Sequence, residues 1–195
     1  MFSVKIVFWL GLFIVFYSYI GYGLLLWFYL RLKRLFSSQK MTGFSGYEPP
    51  VTLIVATFNE EAIIEEKIRN CLELEYPADK LNLFFVADGS NDKTVDIIRK
   101  YPQIRLYFKP ERAGKVAAIN RVMPEITTPF VIFSDANTFL NKESIREILK
   151  HYADEKVGAV AGEKKVMEKN GDGAAVAGEG IYWKYESLLK RLDSE

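Results

Sequence analysis

Asp135 and Asn137 stand where an apolar run, PFVIFSDAN (129–137), breaks off. A strand ending in an acid sets a carboxylate at the carboxyl edge of a sheet, where open α/β sheets bind their ligands. A hard divalent cation bridging a diphosphate needs one or two protein oxygens there, which the Asp135 carboxylate and Asn137 amide could supply. The same two residue types also favour an ordinary turn after a strand. Two more runs end alike: VTLIVATF (51–58) leads into Thr57-Phe58-Asn59-Glu60, and LNLFFVADG (81–89) into Asp88-Gly89-Ser90. Parallel strands would gather all three ends on one edge.

The elements between these runs predict such a sheet. NEEAIIEEKIRNCLEL (59–74) repeats apolar residues at Ile64, Ile68, Cys71 and Leu72, the spacing of one helical face. Asn91 or Asp92 is suited to cap a helix after the second strand. IRLYFK (104–109) reads as a third strand, AGKVAAINRVM (113–123) as a helix and PFVIFSD (129–135) as the fourth strand. KESIREILKHY (142–152) then reads as a helix and VGAVAGE (157–163) as a fifth strand. Alternating strands and helices imply an α/β fold, a mostly parallel sheet with helices on both faces. The segment 170–195 opens with small residues and closes on an expected amphipathic helix carrying Tyr182, Trp183, Tyr185, Leu188 and Leu189.

Several other chemistries lack their residues. No G-x-x-x-x-G-K-[ST] or G-x-G-x-x-G follows the first strand, and Gly171-Asp172-Gly173 is not set between a strand and its helix. Phosphate would fall to a metal and to Arg112 and Lys115, cations that read equally well as solvated surface residues. The single histidine, His151, sits near an expected helix end, where a surface role suffices. Cys71, the one cysteine, excludes an intrachain disulfide and fits core packing. A net charge of +1, without a basic stripe interleaved by aromatics, argues against a nucleic-acid partner.

Residues 6–30 carry no charge at all. As a helix they would run about 37 Å, beyond the roughly 30 Å hydrocarbon core. Phe8, Trp9, Trp27 and Tyr29 lie near the two ends, as at lipid headgroups. A cleaved signal would be shorter and followed by small residues, whereas Arg31, Lys33, Arg34 and Lys40 follow here. Those basic residues predict a single membrane span with the remainder of the chain in the cytoplasm. The expected organisation is an anchor over 1–36, a linker over 37–50 ending in Pro49-Pro50, and a soluble domain over 51–195.

ATFNEE (56–61), VADGSND (86–92), GKVAAIN (114–120) and FSDAN (133–137), in that order, resemble family 2 glycosyltransferases. The resemblance extends over about residues 51–186, and VGAVAGE (157–163) with YWKYE (182–186) is similar to the membrane-bound, polysaccharide-synthase-like branch. It implies a GT-A fold and inverting transfer from a nucleoside-diphosphate sugar, uridine by default, to a saccharide or lipid-linked acceptor. By resemblance Thr57, Phe58 and Glu60 line the base and ribose, Asp88 binds the nucleoside, and Lys115 lies near the base or diphosphate. Asp135 and Asn137 take the D-x-D positions that contact the ribose and a Mg²⁺ or Mn²⁺.

Three departures stand out. Ala87 replaces the first of two aspartates, and Asn137 replaces the second acid of D-x-D, a weaker ligand for a hard cation. The resemblance puts the catalytic base in a later acidic motif, which Glu163, Glu179 and Glu186 do not match. The chain is therefore expected to hold an N-terminal portion of the domain, rich in donor-binding residues. A truncated or degenerate nucleotide-binding or scaffold membrane protein is the alternative. A nucleotidylyltransferase would need a Gly- and Arg-rich loop where Phe58-Asn59-Glu60 stands.

Overall fold

A computed structural model describes residues 2–36, 46–163, 185–190 and 192 of the 195-residue chain. These divide into two compact units, residues 1–42 with 161–195, and residues 43–160.

The first unit is built on an apolar helix. α1 (Phe2–Phe16) passes through a π-helical turn (Tyr17–Gly21) into α2 (Tyr22–Phe36). Val4–Lys33 is long and apolar enough to cross a membrane, and none of its most apolar window is buried in protein. In the wider turn the amide of Tyr22 bonds back to the carbonyl of Tyr17. Residues 185–190 are helical, and the Tyr185 hydroxyl donates to the Tyr19 carbonyl. A Cβ on Gly23 would stand 3.1 Å from both Tyr185 Oη and Leu189 Cδ2, so glycine permits this approach. Tyr182 and Trp183, assigned to the same helix from sequence, lie outside the described residues, as does Glu179.

The second unit is a four-stranded, wholly parallel sheet in the order β3-β2-β1-β4: β1 (Val51–Thr57), β2 (Leu81–Asp88), β3 (Ile104–Lys109) and β4 (Phe130–Asp135). Alternation along the central strands assigns side chains to two cores. Val51, Leu53, Val55 and Phe85 face α3 (Ile64–Leu72), α4 (Thr94–Ile98) and α6 (Ser144–Leu149), and pack with Ile64, Ile68, Ile98, Ile145 and Leu149. Ile54, Phe84 and Val86 turn the other way, onto Ala118 and Val122 of α5 (Lys115–Val122). Helices thus cover both faces, as expected.

The fifth strand does not form: residues 157–163 are assigned to neither helix nor strand. Two of its residues are alanine and two are glycine, and a Cβ on Gly158 or Gly162 would meet nothing within 4 Å. Strand stability comes from side chains filling a pleated, half-buried surface, which these residues lack. The first sheet-unit helix also starts later than its periodicity suggested, at Ile64 instead of 59. Asn59 has φ +52, a left-handed value that ends the strand with a sharp turn and delays the helix. The 142–152 helix stops at Leu149 and finishes as a 3-10 turn, Lys150–Ala153.

Candidate functional site

The strand order fixes where a site can lie. The chain steps outward from β1 to β2 and β3, then returns to the opposite side of β1 for β4. The connections after β1, β2 and β4 lead to helices on one face, and the connection after β3 to α5 on the other. The carboxyl edge above β1 thus lies where the strand order reverses, the place where open α/β sheets bind ligands. A cleft of about 280 Å³ opens there, lined by Thr57, Phe58, Glu60, Asp88, Lys115, Asp135 and Asn137. All seven residues singled out from sequence meet in it. Ala56 and Ala118 give the cleft small walls, and Arg112 and Gly114 complete its rim. A larger hollow of about 500 Å³ runs along α1, lined by Lys5, Ile6, Trp9, Leu10 and Phe13, and offers almost no polar chemistry.

Two loops are zipped together beneath the cleft. Asn59 and Asn91 form a reciprocal amide pair, Asn59 Nδ2 donating to Asn91 Oδ1 (2.9 Å) and Asn91 N to Asn59 Oδ1 (3.0 Å). Glu60 N donates to Thr94 Oγ1, Glu61 N to Asp92 Oδ2, and Lys93 N to Glu61 Oε2. Asp92 Oδ1 also receives the Thr94 amide just before α4, although the N-cap of that helix is Lys93 and not the Asn91 or Asp92 expected from sequence. Burial raises the Asp92 pKa, but bonds from Thr94 and the Glu61 amide outweigh it and hold it below the usual carboxylate range. Much of the acid and amide chemistry of NEE and SND thus fixes the loops. Glu60 and Thr57 still line the cleft, the latter with its hydroxyl aimed at the Val86 carbonyl (3.4 Å).

Asp88 is similarly committed. Its Oδ2 accepts from the amides of Ala113 (2.8 Å) and Gly114 (2.7 Å), and its Oδ1 pairs with Arg121 Nη1 (3.3 Å). Only 5% of the residue is exposed. Burial opposes its ionisation, yet the two amides and the guanidinium prevail and lower its pKa. Asp88 therefore pins the segment that delivers Arg112 and Lys115. Gly89 makes the approach possible: it has φ +74, and a Cβ there would lie 2.6 Å from Arg112 Cβ and 2.9 Å from its backbone N. Arg112 then lays its guanidinium 3.7 Å from the Phe58 ring centroid.

Asp135 is held differently. Its side chain is half exposed and pairs with the equally exposed Lys115 ammonium. Beneath it lies Lys67, fully buried, donating to Ser134 Oγ (2.8 Å) and to the Thr138 carbonyl. Those bonds bracket the segment presenting Asp135 and Asn137. Burial pulls the Lys67 ammonium below its ordinary value, while neighbouring Cys71 and Asp135 push it up. The Cys71 thiol is in turn raised to about 11 by burial, which keeps it protonated and inert.

Sequence reading passed over Lys67, Arg121 and Gly89. The signal for Lys67 was present, because 64, 67, 68 and 71 share one helical face and a lysine there enters the core. Gly89 and Arg121 had no local signal, since their partners are Arg112 and Asp88, distant in sequence.

The residues suit a cation of one kind. Among the described residues no three His, Cys, Asp or Glu side chains are grouped to hold a metal. At the end of β4 one carboxylate and one amide, Asp135 and Asn137, line the cleft instead. That donor set fits a hard cation that takes its remaining oxygens from phosphate and water.

Comparison with known proteins agrees with this geometry. Residues 52–191 match the model of the family described as Glycosyl transferase family 2. A beta-monoglucosyldiacylglycerol synthase from Synechocystis is 30% identical over 66% of this chain and 29% of its own length. A poly-beta-1,6-N-acetyl-D-glucosamine synthase from Staphylococcus aureus is 26% identical over 74% of this chain and 36% of its own. The chain spans about a third or less of the length of the first of these curated relatives. Among solved structures, a mannosyltransferase from Pyrobaculum calidifontis, in complex with GDP-Man and Mn²⁺, superimposes with a TM-score of 0.63 and 33% identity. That match covers 73% of this chain and 43% of the other.

Proposed function

The chain belongs to glycosyl transferase family 2, and from that membership we propose that its cleft binds the nucleoside-diphosphate end of a sugar donor. The observation that carries this reading is the convergence of Thr57, Phe58, Glu60, Asp88, Lys115, Asp135 and Asn137 on one cleft at the sheet's reversal point. Phe58 and Thr57 offer the base an aromatic face and a polar wall, with Glu60 toward the ribose. Arg112 and Lys115 supply positive charge for the diphosphate, and Asp88 acts by pinning the segment that carries them. Asp135 and Asn137 would hold Mg²⁺ or Mn²⁺ against the same diphosphate. When bound, such a cation offsets the charge that gathers on the departing nucleoside diphosphate.

Transfer would invert the anomeric centre in a single displacement, with a saccharide or lipid-linked acceptor. The general base is assigned to no described residue. The apolar helix Val4–Lys33 is read as a membrane anchor, its exposed Trp9, Phe13 and Trp27 suited to lipid, with the sheet unit on the cytoplasmic side. The proposed organisation remains an anchor over 1–36, a linker over 37–50 and a transferase portion over 51–195.

Calorimetric titration of the full chain in detergent micelles tests the donor site. UDP and GDP, each with and without Mn²⁺, should produce saturable, Mn²⁺-strengthened binding for at least one of the two. Folded protein that binds neither nucleotide would remove the donor-site reading and favour a scaffold role.

A further inference from the structure

In the cleft Lys115 is paired with the carboxylate that a cation would need. Asp135 offers the cleft's one carboxylate at the metal position, its partner Asn137 is neutral, and Lys115 already holds an Asp135 oxygen. Lys67 bonds to Ser134 and Thr138 on either side of the same segment, so a second ammonium interacts electrostatically with the carboxylate. A bare divalent cation entering here would have to displace an ammonium and would gain one carboxylate and one amide. A diphosphate changes the balance. It brings oxygens for the cation and a competing anionic partner for Lys115, which starts α5 on the cleft rim.

We propose that Lys115 is a built-in counter-ion of Asp135, exchanged for a divalent cation only as a nucleoside diphosphate arrives to receive the lysine. The inference rests on the donor-site reading above and adds a coupling to it. Breaking the Lys115–Asp135 pair serves both ligands, so whichever binds first lightens the work of the second. By linkage, the nucleotide tightens the cation by the same factor as the cation tightens the nucleotide. Asn137 belongs to this arrangement: a second carboxylate there would hold a cation without help, and the amide leaves the hold conditional.

The experiment counts free Mn²⁺ by electron paramagnetic resonance as the full chain in micelles is titrated, alone and with whichever of UDP or GDP binds. Wild type should bind Mn²⁺ weakly alone and at least about tenfold more tightly with nucleotide, within the usual range of coupled sites. Lys115→Met should bind Mn²⁺ alone about three- to fivefold more tightly, and its coupling factor should fall by a similar factor, as suits an exposed ion pair. Lys115→Arg should keep the wild-type coupling.

A lysine that only touched phosphate would weaken nucleotide equally with and without Mn²⁺, leaving the coupling factor unchanged, and that result in Lys115→Met overturns the proposal. So does wild type that holds Mn²⁺ alone as tightly as with nucleotide. Wild type that binds no nucleotide removes the donor site, and this inference with it. The Lys115 side chain is more than half exposed, so neither variant threatens the fold.

Discussion

Asp88 and Asp135 end neighbouring parts of one sheet edge and line the same cleft, yet they are held in opposite ways. Asp88 is buried, with both oxygens engaged by two amides and a guanidinium. Asp135 is half exposed and pairs with one flexible ammonium. Buried charges need such full partnership, because leaving one unpaired in a low dielectric is costly. Exposed pairs exchange partners cheaply. One acid is therefore fit for architecture and the other for ligand exchange, although each closes a strand in the same manner.

The contrast can be broken most forcefully at Asp88. Asp88→Ala should cost about 3 kcal/mol, since it strips partners from two amides and leaves Arg121 without its counter-charge. Thermal and urea unfolding of the sheet unit would register it, and a loss below about 1 kcal/mol would show that the pinning is dispensable. Asp135→Ala should do the converse. It is expected to weaken Mn²⁺-supported nucleotide binding by about 2 kcal/mol, some thirtyfold, while shifting stability by no more than about 0.5 kcal/mol. Calorimetry and unfolding on the same preparation separate the two numbers. Equal destabilisation by both alanine variants would erase the contrast.

Gly89→Ala sharpens the comparison from the backbone side. With φ +74 and a Cβ meeting Arg112 at 2.6 Å, it should cost about 2 kcal/mol and draw Arg112 away from Phe58. Wild-type stability and nucleotide affinity in this variant would mean that the segment tolerates a shift. The smallest effect concerns acid. Because the folded Asp88 pKa lies below its ordinary value, its contribution is complete above that value and disappears as pH falls through the folded pKa. The stability gap between wild type and Asp88→Asn should thus stay constant from pH 7 to about 5 and narrow only below about 4. A gap that changed near neutrality would point to a different titrating group.

β2 and β4 were legible because their apolar runs break off at acids, and β3, which ends at Lys109, matches its expected limits residue for residue. The cleft was legible for the same reason, as parallel strands deliver their ends to one edge. VGAVAGE misled because alternation of small apolar residues imitates a strand without supplying packing volume. The helix after β1 was placed early because nothing local announces that Asn59 will adopt φ +52, a conformation held by Asn91 across the loops. The division of labour between Asp88 and Asp135 was equally hidden. It depends on Gly114, Arg121 and Lys115 arriving from one later segment, a matter of tertiary placement that composition does not record.

The position of β1 has a consequence for how the protein is made. This strand lies between β2 and β4, so the first strand to leave the ribosome is flanked on one side by the last of the four to be synthesised. Thr52 of β1 meets its hydroxyl partner Thr128 only after 76 further residues have been added. At about 5–20 residues per second that interval lasts roughly 4–15 s. Throughout it, one edge of a strand rich in valine and isoleucine waits unpaired, a natural station for a nascent-chain chaperone.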